Sequence, residues 1–300
     1  MSGILSAPTS LIYSGKFWNI IKDREKTAGE KAMEQMQELL PQVSKTYAIA
    51  IPQLPEEIKK DLTMAYYVVR ELDIFHDELS LSSEQTRALS EELLTTLEYS
   101  TQDNINRLSP KLEALEPDKR GYRKLLRKLP LLVKAFHELP EKVQSSILRW
   151  SKVMALGFGN KELMDIKSME DYYRRCHYDA GVVGNIITED FWRRGYFSDE
   201  QKEKLMPDPM SEKLGVNLSN DVGIALQFAN DLDGIIEDIE NGLYRMPHDL
   251  LVARGLSYET LADASQNEGS RIRAAAFLEE MVQHAKPLIK NCNTYIKELP

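Results

Sequence analysis

Two stretches of this 300-residue chain join an apolar run to a set of acids at helical spacing. Leu62-Thr-Met-Ala-Tyr-Tyr-Val-Val69 runs into Arg70-Glu-Leu-Asp73-Ile-Phe-His-Asp77-Glu78, with Asp73 and Asp77 one turn apart. Val222-Gly-Ile-Ala-Leu-Gln-Phe-Ala229 runs into Asn230-Asp-Leu-Asp-Gly-Ile-Ile-Glu-Asp238. There Asn230, Gly234 and Asp238 share one face of a continuous helix. An apolar stripe draws such a helix into a core, and ionised carboxylates carried along cost several kcal/mol unless positive charge meets them. The pattern predicts one cavity in which both helices present oxygen donors to divalent cations. Neither His nor Cys stands at zinc-ligand spacing, so the donors suit magnesium. Magnesium held by one or two carboxylates fills its shell with water and phosphate oxygens, which implies a diphosphate substrate. The plain alternative is two solvated, acid-rich helix ends.

A third constellation is Tyr172-Tyr-Arg-Arg-Cys-His-Tyr178-Asp-Ala-Gly-Val-Val-Gly184. Glycine within a helix costs about 1 kcal/mol against alanine. Ala180, Gly181 and Gly184 therefore predict close approach of another helix or of a long flexible ligand. Arg174 or Arg175 could serve a phosphate, or both could be surface charges. Asp231 and Asp233 fall on other faces than Asn230 and are expected to be solvated or to support the ligands from behind.

Nearly every long segment that must position these groups has the helical period. Glu25 to Leu40 carries Ala32, Met33, Met36, Leu39 and Leu40 on one side, and Pro41 is expected to end it. Pro55 followed by Glu56 and Glu57 starts the helix that runs through Asp77. Pro140-Glu-Lys starts another, with Val143, Ile147, Trp150 and Met154 inward and Gly157 and Gly159 at its end. Ser168-Met-Glu-Asp171 caps the helix of the third constellation. Asp103 to Lys119, broken by Pro110 and Pro117, reads as a linker or short helices. The helix through Asn230 is expected to continue to Gly242. No segment alternates apolar and polar residues as a half-buried strand would. The expected class is all-α, with residues 1–300 as one domain.

Composition, 42% hydrophobic and 28% charged, fits a globular chain able to bury a core. A formal charge of −9 argues against nucleic acid as partner. Cys176 and Cys292 form no CxxC pair and imply no disulfide framework. No stretch approaches the roughly 18 continuous apolar residues of a membrane span. Met1 to Tyr13 lacks the basic and long apolar parts of a signal peptide. A cytoplasmic location is expected.

Three blocks, in order and spacing, resemble eukaryotic-type squalene synthases. They are Val43-Ser-Lys-Thr-Tyr-Ala with Ala65 to Asp73, then Arg175-Cys-His-Tyr-Asp-Ala-Gly-Val-Val-Gly184, then Leu226-Gln-Phe-Ala-Asn230 through Asp238. The resemblance to the squalene/phytoene synthase family implies an isoprenoid synthase fold, a helical bundle around a central cavity. It also implies magnesium-dependent ionisation of a prenyl diphosphate, such as farnesyl diphosphate, and head-to-head joining of two such molecules through a cyclopropyl diphosphate. Carried over by position, Asp73, Asp77, Asn230 and Asp238 are metal ligands. Tyr66, Arg70, Arg175 and Tyr178 take catalytic places, and Lys45, Thr46, Arg70, Gln227 and Arg245 take substrate-binding ones. A truncated form of such an enzyme would sit peripherally at the endoplasmic reticulum membrane. NADPH, used in the family's reductive step, has no Gly-rich phosphate loop to support it here.

The chain departs from that pattern at defined positions. His76 stands at the glutamate of the family's D-x-x-E-D, Gly234 at the first aspartate of the second motif, and Asp233 at the arginine before it. Arg175 replaces the first tyrosine of Y-C-H-Y-x-A-G, and Leu243 the arginine after the downstream glycine, with Arg245 two places on. N-D-x-x-G-x-x-x-D also resembles the asparagine–serine–glutamate triad of class I terpene cyclases, with Gly234 at the hydroxyl position. Three readings follow: a squalene-synthase-like enzyme, a terpene cyclase or prenyltransferase onto a non-prenyl acceptor, and a non-catalytic prenyl-lipid-binding protein.

Overall fold

The computed structural model describes residues 26–77, 81–211 and 213–299, and these form helices and connecting turns with no strand. Met1 to Tyr13 and Glu78 lie outside the described residues. The helices are α1 (Ala28–Val43), α2 (Lys45–Ala50), α3 (Glu56–Asp77), α4 (Ser83–Glu98), α5 (Gln102–Glu113) and α6 (Arg120–Leu126). Then come α7 (Leu129–Phe136), α8 (Glu141–Phe158), α9 (Lys161–Met164), α10 (Met169–Cys176), a π-helical turn (His177–Gly181), α11 (Val182–Arg193) and α12 (Asp199–Leu205). The chain continues through α13 (Leu218–Asp233), α14 (Ile235–Glu240), α15 (His248–Ala253), α16 (Tyr258–Ala262) and α17 (Glu268–Ile296).

Local chemistry sets most of the boundaries. Reciprocal capping boxes start α1 (Thr27 with Glu30), α4 (Ser82 with Gln85), α10 (Ser168 with Asp171) and α12 (Ser198 with Gln201). Three expectations need correction. Pro41 does not end α1; burial of Leu39, Leu40 and Val43 holds one more turn across it. The stretch expected as a linker or short helices broken at Pro110 holds one helix, α5, that runs through Pro110, anchored by Leu108 and Leu112, both fully buried one turn apart. The helix through Asn230 breaks at Gly234 (φ −90°, ψ 2°), which caps both α13 and α14.

Helix α3 is the centre of the larger apolar cluster. Every residue from Leu62 to Val69 is buried, the mark of a helix enclosed on all sides. It packs against α1, α4, α8 and α11. A second cluster gathers α10 and α13 to α17 around Tyr172, Phe228, Phe277 and Met281. The small residues of the third constellation make the crossing between the π turn, α11 and α13. A Cβ on Gly184 would come within 2.0 Å of the Ser219 carbonyl oxygen, and one on Gly223 within 2.0 Å of that of Ala180. Helix contact, not ligand contact, accounts for those glycines.

Candidate active site

The C-terminal half of α3 and the α13–α14 break meet at one polar rim. On α3, Arg70, Asp73 and Asp77 continue the face of Tyr66 over three turns. Arg70 donates from Nε to the Tyr66 hydroxyl at 3.1 Å, lies over the Tyr66 and Tyr122 rings, and forms an ion pair with Asp73. Tyr66 in turn donates to the Val43 carbonyl at 3.3 Å. Across the rim, Arg245 reaches Asp77 at 2.5 Å and stands 3.6 Å from Asp238. A turn after α14 puts it there. Gly242 takes φ +76°, and the amides of Gly242 and Leu243 return to the Ile239 and Asp238 carbonyls at 3.0 and 2.8 Å.

Beneath that rim Arg175 is fully desolvated and doubly paired. It donates to Asp231 at 2.7 Å and pairs with Asp179 at 2.5 Å. Asp231 also accepts from Tyr172 at 2.9 Å and from Gln227 at 2.8 Å. Three bonds from three side chains would not gather on a solvated acid, and Asp231 is completely buried. Asp179 and Arg175 straddle the π-helical turn, a local irregularity that re-aims side chains.

A narrow apolar cleft opens beside the rim. Leu62, Ala65, Tyr66 and Val69 of α3 face Val183, Ile186 and Ile187 of α11 across it. A polar head at the rim and an apolar tail in the cleft is the shape this arrangement can hold.

Burial raises the Asp73 carboxyl even though Arg70 opposes it. It acts the same way on Asp77, but there Arg245, with His76 and Arg175, outweighs it and the carboxyl lies below its ordinary range. Burial lifts Asp179 to about 7 against the pull of Arg175, and raises Asp238 against Arg245. Burial lowers His76, whose ring stacks on Phe158 at 4.4 Å, so the imidazole is neutral near pH 7.

Among the described residues, no three Asp, Glu, His or Cys side chains are grouped to hold a metal ion unaided. The carboxylates meet guanidiniums instead: Asp73 on Arg70, Asp77 and Asp238 on Arg245, Asp179 and Asp231 on Arg175. Acids still outnumber arginines on the rim, and the Asp73 and Asp77 side chains keep 25% and 23% of their surface exposed. That donor chemistry fits a magnesium ion that arrives with a diphosphate and takes its remaining ligands from it. On the second helix only Asp238 can contribute.

A family model described as squalene/phytoene synthase matches residues 40–300. The chain belongs to that family. Squalene synthase of Nicotiana benthamiana is 26% identical over 264 residues, 87% of this chain and 57% of the relative. Squalene synthase of Rattus norvegicus is 24% identical over 281 residues, 94% of this chain and 61% of the relative. The chain thus spans less than two thirds of these relatives' length. The structure of TcSQS with the ligand E5700 superposes with a TM-score of 0.69 at 20% identity, over 90% of this chain and 72% of the other. The isoprenoid synthase fold expected from the motifs is the fold observed.

Within this squalene/phytoene synthase fold the expected site residues divide. Tyr66, Arg70, Asp73, Asp77, Asp238 and Arg245 meet at the rim, with Arg175 and Gln227 beneath it. Asn230 does not reach it. It is exposed, because the inner stripe of α13 runs through Ile224, Phe228 and Asp231. Of the two places expected for Asp231, solvated or behind the ligands, the structure shows the second: it is buried beneath the rim on Arg175. Lys45 and Thr46 are exposed in the first turn of α2, beside Tyr47, whose ring lies 4.7 Å from that of Tyr66. Tyr178 is buried against α8, where a Cβ on Gly157 would come within 2.3 Å of its ring. Arg174 stays on its own helix, paired with Asp171 at 2.6 Å. Asp179 and Asp231 were missed as site residues. The phase of Ile224 and Phe228 pointed to Asp231, and the i, i+4 spacing from Arg175 was the signal for Asp179.

Proposed function

We propose that this chain is a magnesium-dependent enzyme that ionises a prenyl diphosphate, farnesyl diphosphate or a similar one, in the manner of squalene synthases. The observation that carries the reading is the rim of acids and arginines at the mouth of an apolar cleft. The prenyl chain lies between α3 and α11, and the diphosphate lies across the rim. Asp73 and Asp77, with Asp238 opposite, would hold the magnesium, whose contribution is to neutralise the leaving diphosphate. Arg245 and Arg70 exchange a carboxylate oxygen for a phosphate oxygen, which they can do because both sit on partly exposed acids. As the carbon–oxygen bond breaks, these fixed charges stabilise the departing diphosphate more than the intact substrate. The apolar walls and the Tyr66 ring keep water from the allylic cation.

In the family's reaction that cation is taken by a second prenyl diphosphate, head to head. Arg175 favours a second reading. A guanidinium locked between two aspartates neither donates as a neutral hydroxyl nor gives up a proton near neutrality. The cation would then close on its own chain or pass to a non-prenyl acceptor. Incubation with magnesium and farnesyl diphosphate, with and without NADPH, decides between them. Presqualene diphosphate or squalene is the outcome of head-to-head joining. Diphosphate with a cyclic or linear fifteen-carbon product is that of the second reading. Binding without turnover, even with candidate acceptors supplied, would leave a prenyl-lipid-binding protein.

A further inference from the structure

A carboxyl pair lies at the far end of the cleft, away from the rim. Asp61 of α3 and Asp190 of α11 face each other, 1% and 3% exposed. Asp61 precedes Asp73 by more than three turns, roughly 18 Å along the helix axis. Arg194 grips Asp61 from Nε and Nη2, at 2.6 and 2.9 Å. Asp190 has nothing comparable. Apart from Asp61, no hydrogen-bonding group among the described residues reaches either of its oxygens. Burial, and then the charge of Asp61, push its carboxyl up to about 9, so it keeps its proton at neutral pH.

The pair lines a second, smaller cleft with Val143, Ser146 and Ile147. That cleft and the larger one share Leu62, Ala65 and Ile186 as a common wall. One end of this apolar space is therefore the acid and arginine rim, and behind the other stands a protonated acid with unused hydrogen-bonding capacity. Holding that proton weakens the fold. The destabilisation begins above the ordinary aspartate pKa and grows until Asp190 itself ionises. An aliphatic side chain at 190 would pack the same seam without that loss. A buried acid bonded only to its partner acid, behind the wall that the two clefts share, points to a ligand group that completes it.

We propose that Asp190, oriented by Asp61, recognises a hydroxyl or carbonyl oxygen at the distal end of an isoprenoid chain whose diphosphate lies at the rim. The proposal rests on the prenyl-diphosphate reading of the cleft. A hydroxyl would accept from the Asp190 O–H and donate to Asp61, and a carbonyl would take the Asp190 proton alone. A plain hydrocarbon end would cover the pair and add no partner to Asp190, the situation in which a site built for a polar group discriminates most strongly. To reach the pair, a chain must part Leu62 from Ile186, which with Ala65 separate the two clefts.

Two non-ionisable probes test this on the whole chain: a prenyl thiodiphosphate, and the same compound with a hydroxyl on its terminal carbon. Each is titrated calorimetrically, with magnesium, into wild type, D190L and D190N. The hydroxylated probe is expected to bind wild type at least about tenfold more tightly. D190L should erase or reverse that preference, and D190N, which still hydrogen-bonds, should keep part of it. Equal affinities in wild type, or tighter binding of the plain probe, overturn the proposal and leave the prenyl-diphosphate reading standing. The wild-type ratio decides the matter even where D190L does not fold. If neither probe binds wild type, both readings fail together.

Discussion

The two acid-bearing helices have matching sequence patterns and different outcomes. Helix α3 runs unbroken for 22 residues, so Tyr66, Arg70, Asp73 and Asp77 keep the register that their spacing implies, and all four reach the rim. The second helix breaks at Gly234, and its inner stripe selects Asp231, not Asn230. Of three positions expected in line, only Asp238 faces the rim, and a separate short helix brings it there. Spacing of three or four residues locates side chains only relative to one another. Which face turns inward depends on the apolar phase, and a single glycine can reset it.

The comparison can be broken most severely at Arg175, which neutralises Asp231 of the second helix and Asp179 of the π-helical turn. Arg175→Leu leaves Asp179 and Asp231 without their guanidinium and should lower stability by about 3–5 kcal/mol. Urea denaturation measures it, and a loss under about 1 kcal/mol would mean that these acids find other partners. On the first helix, Asp73→Ala should reduce magnesium-dependent diphosphate release at least about 100-fold with little change in melting temperature. Wild-type rates in that variant would remove Asp73 from the proposed role. A gain of function should follow at the break. A Cβ on Gly234 meets only the Asn230 carbonyl oxygen, at 3.4 Å, and the backbone there has a negative φ. Gly234→Ser should fold normally and add an oxygen donor near Asp238. Magnesium affinity in the presence of a diphosphate analogue should tighten by a few fold, or about 1 kcal/mol. Weaker affinity would place this turn away from the metal. Asn230→Ala should change least: stability within about 0.5 kcal/mol and unaltered magnesium dependence. A marked loss of metal affinity would restore Asn230 as a ligand and unmake the distinction drawn here.

Much of this arrangement was legible in advance. The all-α class followed from helical periodicity, and Pro55 with two glutamates marked the start of α3. Ala180, Gly181 and Gly184 announced a close crossing, and Gly223 with Ser219 supplied the other side of it. The places where the reading failed share one cause. Pro41 and Pro110 read as breaks, yet buried Leu40 and Val43 flank the first and buried Leu108 and Leu112 the second, and hold both helices together. Spacing from Asn230 leaves Asp231 either solvated or behind the ligands, and Ile224 and Phe228 on its own stripe turn it inward.

The sequence by itself determined that two apolar helices would carry acids into a shared interior, since periodicity and desolvation require no knowledge of neighbours. Only the tertiary structure decided what meets those acids. Arg245 closes on Asp77 and Asp238 from a turn after α14, and Arg175 joins Asp179 to Asp231 across a π-helical turn. Asp61 and Asp190, 129 positions apart in the chain, share one proton in the core. Charge interactions act through space at a few ångströms, so residues distant in sequence, invisible to any local pattern, determine whether a buried carboxylate is neutralised, protonated or left waiting for a ligand.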